Sequence, residues 1–133
     1  MRVQVEQVEG RRMVIRARGL EVMVDDTVEA GGPGDGFRPS ELLMGALGTC
    51  MIGTMVTFAR NQGISVGDIS LDIEDQPAEH PERIAHIAVS MTLTTDADDR
   101  RLRTLERVAS ACKITNTLRR GTDVTLEFSA EPG

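Results

Sequence analysis

Two cysteines, Cys50 and Cys112, are the residues of this chain whose types and spacing could support chemistry. A thiol that ionises becomes a nucleophile and can climb the sulfur oxidation ladder, and two thiols that meet can close a disulfide. Cys50 follows Leu43 and Leu47 and precedes Thr54 at steps of four, three and four, the spacing of one helical face. Cys112 follows Leu102, Leu105 and Ala109 at steps of three, four and three, so it too is expected to point inward from its helix. This spacing permits the thiols to meet without requiring it. Free cysteine is also among the most buried residue types, so an inert pair of core thiols stays open on spacing alone.

A reactive thiol needs a stabilised thiolate. Arg11, Arg12, Arg16, Arg18 and Arg38 all precede the Cys50 helix. An arginine reaching Cys50 would lower its pKa against the opposing effect of burial, but each arginine also reads as a solvated surface charge. His80 and His86 share no ligand spacing with each other or with the cysteines, so both read as structural or exposed. The glycine-rich stretch 31–36 lacks the Lys-Ser/Thr ending of a phosphate loop and reads as a turn. Asp96, Asp98 and Asp99 fit a helix N-terminus better than a metal site. No Ser-His-Asp set stands out.

The elements that must position the cysteines follow from periodicity. Strands are expected over 2–6, 12–17 and 20–24, with Arg18-Gly19 as a turn. A long helix opens at Pro39 and Ser40, with Ser40 as its cap and Glu41 in the first turn, and ends near 61–63. Strands at 66–75 and 83–94 come next, the second placing Ile87, Val89, Met91 and Leu93 on one face. Asp96 then caps a helix over 97–112, a short helix spans 115–120, and an alternating strand over 124–128 closes the chain. The order β-β-β-α-β-β-α-α-β is that of an α+β fold.

With 133 residues and no repeat or linker, the chain reads as a single domain, 1–133. Aromatics are 2% and the net charge is −6. Both speak against nucleic-acid binding, which uses aromatic stacking platforms and counterion release by basic groups. Lys113 is the sole lysine. The N-terminus carries no apolar signal core, so a cytoplasmic location is expected, where a static structural disulfide is rare. The stretch 42–59 has 18 uncharged residues but includes Gly45, Gly48 and Gly53 with Thr49, Thr54 and Thr57. It reads as a buried helix rather than a membrane span. One chain of this size can hardly wrap it, which points to burial in a dimer.

The run from Gly36 through Pro39-Ser40-Glu41-Leu42-Leu43 to Cys50 resembles the OsmC/Ohr family, which opens its central helix with a Pro-x-Glu-Leu-Leu type motif. Cys112 followed by Asn116-Thr117-Leu118 resembles that family's second cysteine motif, and the element order agrees over roughly residues 3–128. The resemblance implies an intertwined homodimer, with long central helices packed against β-sheets and active sites at the interface. Cys50 would be the peroxidatic residue and Cys112 the resolving one. The substrate would be an organic hydroperoxide. A dithiol, a lipoylated protein in some members, would restore the thiols, and no metal, flavin or other cofactor is implied. Glu41, Arg11 (or its neighbour Arg12) and Arg38 would support Cys50. The chain departs from the Ohr branch in carrying Ser40 ten residues before Cys50, with Glu41 nine before it, and Lys113 where proline usually follows the second cysteine. One residue rotates a helical side chain by about 100°. Two alternatives stay open: a non-catalytic dimer that binds an apolar small molecule, and a redox sensor.

Overall fold

The computed structural model describes all 133 residues. Its elements are β1 (Gln4–Glu9), β2 (Arg12–Ala17), β3 (Leu20–Val24), α1 (Pro39–Asn61), β4 (Val66–Ala78), β5 (Arg83–Thr95), α2 (Asp99–Ser110) and α3 (Lys113–Arg120). The architecture is α+β, as the sequence implies, with a three-stranded sheet β1-β2-β3 and a two-stranded sheet β4-β5. Contacts divide the chain into two compact units. The first comprises residues 1–46 and 73–88, the second 47–72 and 89–133.

In the first unit β2 pairs antiparallel with both β1 and β3. Ala17 faces Leu20, so Arg18-Gly19 is a two-residue hairpin turn. Both turn residues have positive φ, 53° and 80°, the conformation whose twist matches that of the flanking strands. Val14 and Val24 are buried. The loop after β3 is pinned back on the strand, with the Phe37 N–H donating to Met23 O and the Asp25 N–H donating to Phe37 O.

The second unit holds a core of Met55, Ala59, Ile64, Leu105 and Ala109. Met55 and Ala59 are one turn apart on α1, and Leu105 and Ala109 repeat that spacing on α2, so each helix offers one apolar stripe. α1 stops where Gly63 takes φ 68° and the Ile64 N–H returns to Ala59 O at 2.8 Å, satisfying a carbonyl of the last turn.

Several boundaries differ from those expected. α1 begins at Pro39, and its first intrahelical bond runs from the Leu42 N–H to Arg38 O. Arg38 rather than Ser40 therefore occupies the cap position. α2 spans 99–110, not 97–112, because Asp98 caps it by accepting from the Arg101 N–H at 2.9 Å. The expected cap, Asp96, instead accepts from the Ser65 N–H. β4 and β5 are longer than expected, 13 residues each. The strand expected at 124–128 does not form. Residues 121–133 carry no regular structure, and Val124, Leu126 and Phe128 are 88%, 84% and 84% exposed. Their alternation fixes a face but supplies no partner, and an unpaired strand leaves its backbone groups to water. As expected of a chain this size, α1 is not buried all round within one chain: of its 23 residues only Leu47, Gly48, Met55 and Ala59 are buried. It is long and apolar enough to cross a membrane by length and composition, as core helices of soluble proteins also are.

Candidate active site

Cys50 sits midway along α1, half-buried. The Thr54 hydroxyl, one turn on, donates to its carbonyl at 2.8 Å. Cys112 is not part of α2. That helix ends at Ser110, Ala111 turns the chain, and Cys112 takes extended backbone angles (φ −71°, ψ 162°) as the N-cap of α3. The inward direction expected of Cys112 is realised, since it is 1% exposed, but by a helix start rather than a helix face.

The capping position determines the electrostatics of this sulfur. The first N–H groups of a helix lack intrahelical partners and favour negative charge. The Thr115 N–H donates to Cys112 Sγ at 3.4 Å, and the Thr115 hydroxyl lies 3.2 Å from the same sulfur. Burial pushes the Cys112 thiol up. Hydrogen bonds from the Thr115 hydroxyl, the Thr115 N–H, the Cys50 thiol and the Ile114 N–H outweigh it, so the thiol is held below its ordinary value. The Cys50 thiol is among the groups that lower Cys112, and both cysteines belong to the second unit. Neither cysteine is in a disulfide.

The remaining predicted site residues, Arg11, Glu41 and Arg38, lie in the first unit, where Arg11 has an ion pair and Arg38 bonds Glu41 through its backbone N–H. Arg11 is ion-paired with Asp26. Glu41 accepts from the Arg38 N–H at 2.7 Å, one half of the reciprocal bonding that closes a helix N-terminus. Arg12, the alternative to Arg11, bonds Asp25 at 3.2 Å and Asp35 at 2.6 Å. The Asp35 carboxyl is held below its usual range by Arg12, against the opposing effect of burial. Neither histidine belongs to a cluster of metal-ligating side chains.

Sequence reasoning missed Thr115. It is buried at 5% exposure and supplies two donors to Cys112. The signal is present in Cys112-Lys113-Ile114-Thr115, where a polar side chain stands three residues before a donor that a cap can use. Cysteine is not among the residues usually weighed as caps.

The OsmC-like protein family profile matches residues 32–127 of the chain, which include both cysteines. The uncharacterized protein YmaD of Bacillus subtilis (strain 168) is 29% identical over 128 residues, covering 90% of this chain and 85% of YmaD. Among solved structures, a putative osmotic stress induced and detoxification response protein from Psychrobacter arcticus 273-4 superposes with a TM-score of 0.79 at 21% identity, covering 86% of this chain and 85% of the other. An organic hydroperoxide resistance protein OsmC from Legionella pneumophila gives 0.64 at 21% identity, covering 90% of each chain. At these identities the structural likeness is one of fold.

Proposed function

The chain belongs to the OsmC-like protein family, and from that premise we propose that it is a homodimeric, two-cysteine thiol peroxidase acting on organic hydroperoxides in a reducing compartment, the cytoplasm. The observation that carries this reading is the placement of both cysteines in one unit, with Cys112 buried at the start of α3 where the Thr115 N–H and hydroxyl address its sulfur. In the first step the Cys50 thiolate attacks the terminal peroxide oxygen. The O–O bond breaks, the alcohol leaves, and Cys50 becomes a sulfenic acid. Cys112, held toward its thiolate form beside Cys50, then attacks the Cys50 sulfur. A disulfide forms and the hydroxyl departs as water. A dithiol restores both thiols by exchange. Cys50, the more accessible of the two, is the one suited to meet a bulky substrate.

The homodimer is supported by apolar surface that one chain leaves open. Leu43 on α1 is 40% exposed, Gly45 and Gly53 have no neighbours where a side chain would stand, and the alternating row of Val124, Leu126 and Phe128 has no sheet to join. Exposed apolar surface is what a protein interface covers.

A second reading, a redox sensor that forms the disulfide but turns over slowly, draws on the partners found for the expected supporting residues. Glu41 is engaged in capping α1, and Arg11 and Arg12 are engaged with Asp26, Asp25 and Asp35. In this reading Glu41, Arg11 and Arg12 are not reserved for Cys50.

The test is the intact mass of fully reduced protein after about one equivalent of cumene hydroperoxide, a dose that limits over-oxidation. We expect loss of two hydrogens per chain, reversed by dithiol. An unchanged mass would rule out both the peroxidase and the sensor. Sustained turnover with excess peroxide and dithiol separates the first from the second.

A further inference from the structure

Cys50 and Cys112 differ in two respects that bear on how a disulfide between them would be undone. Cys112 is 1% exposed, whereas Cys50 is half-buried on α1. The Cys112 sulfur also lies at the start of α3, where the Thr115 N–H and hydroxyl address it at 3.4 and 3.2 Å. Thr115 is itself buried, so both donors are fixed in place. In thiol–disulfide exchange a thiolate attacks the sulfur it can reach and expels the sulfur better held as an anion. Access and leaving-group stability here favour the same direction.

We propose that the reducing dithiol attacks Cys50 Sγ and expels Cys112 Sγ, with Thr115 as the positioning residue that receives the departing sulfur. The inference deepens the dithiol-pair reading above and rests on it. The reductant thiolate forms a bond to Cys50 Sγ as the Cys50–Cys112 bond breaks, and the bonding pair leaves on Cys112 Sγ. The second thiol of the reductant, after giving up its proton, attacks the reductant sulfur of the mixed disulfide. It closes the cyclic disulfide and releases Cys50 as a thiolate that takes up a proton. The dithiol loses two electrons and the protein disulfide gains them. Cys112 never bonds to the reductant, so its burial does not obstruct recycling.

The experiment forms the disulfide with diamide rather than peroxide, so that its outcome does not depend on reactivity toward hydroperoxides. The oxidised protein is treated briefly with 2-mercaptoethanol, free thiols are capped with N-ethylmaleimide, and the protein is digested with trypsin. Cys50 then lies in peptide 19–60 and Cys112 in peptide 108–113. The mercaptoethanol adduct is expected on Cys50 by at least about tenfold, with maleimide on Cys112. Thr115→Val, which removes the hydroxyl and keeps the N–H, is expected to lower that preference roughly threefold, and Thr115→Ser to restore it. An even or reversed partition in the native protein, equal partition in Thr115→Val and native protein, or failure of diamide to form the disulfide overturns the inference. If peroxide fails to close a disulfide that diamide closes with this partition, the peroxidase reading falls and the exchange route stands.

Discussion

In the N-terminal sheet Arg11, Arg12 and Arg16 all reach carboxylates: Asp26, then Asp25 and Asp35, then Glu6 and Glu21. Around Cys112 the stabilising donors are two backbone N–H groups, a hydroxyl and a thiol, none of them charged. Apart from the buried Asp25, the first arrangement lies largely in solvent, where water and salt screen ion pairs and leave them little net stabilisation. The second is almost dry, and a dipole aimed at a charge is felt more strongly at low dielectric. Density of formal charge is therefore a poor guide to where this protein applies electrostatic force. The arginines organise a surface loop and the sheet, and an uncharged helix start conditions the sulfur.

That contrast can be broken or sharpened by substitution. The largest effect is expected at the thiols. Cys50→Ser should abolish the two-hydrogen mass loss on peroxide treatment, while Arg11→Gln should leave a clear disulfide signal. If Arg11→Gln matched Cys50→Ser, charge in the N-terminal sheet would be the agent after all. Next comes the packing of the second unit. Leu105, 2% exposed in the core beside Met55 and Ala109, should cost about 2–5 kcal/mol when truncated to Ala, read as a lower midpoint in urea. Arg16→Ala, with both its partners on the surface, should leave that midpoint nearly unchanged. The smallest effect concerns Asp35. Its carboxyl is depressed in the folded chain by Arg12, so its contribution is fully present above the ordinary carboxylate range and disappears as pH falls through the depressed value. Melting temperatures of the native protein and Asp35→Asn should therefore differ slightly near neutral pH and converge in strong acid. The gap should also narrow with added salt.

Much of this was legible in the residues. The uncharged run after Glu41 announces α1, the Arg18-Gly19 turn announces its hairpin, and the Leu105/Ala109 spacing announces a helix face. Those signals are local, and local periodicity suffices to read them. The place of Cys112 was less legible, because steps of three and four continue smoothly from Ala109 to Cys112 across a helix end. Only the competition between continuing α2 and capping α3 decides it, and Ala111, with φ −105° and ψ 26°, shows that capping wins. The supporting arginines were not legible for a different reason. A sequence shows that a charge exists but not which carboxylate claims it, and Asp25, Asp26 and Asp35 are up to 23 residues away from the arginines they bind. The segment 124–128 sets a third limit: its alternation is real, yet pairing needs a second strand that the segment does not encode.

The bare row of Val124, Leu126 and Phe128 has a thermodynamic consequence. In the homodimer proposed here, part of what holds each chain together is supplied by another chain, so concentration enters the stability like a ligand. Each tenfold dilution should then weaken apparent stability by about 1.4 kcal/mol per dimer, the free energy of a tenfold change in an equilibrium constant. A melting temperature for this protein would be a property of the solution as much as of the molecule, and its abundance in the cell would set how firmly it is folded.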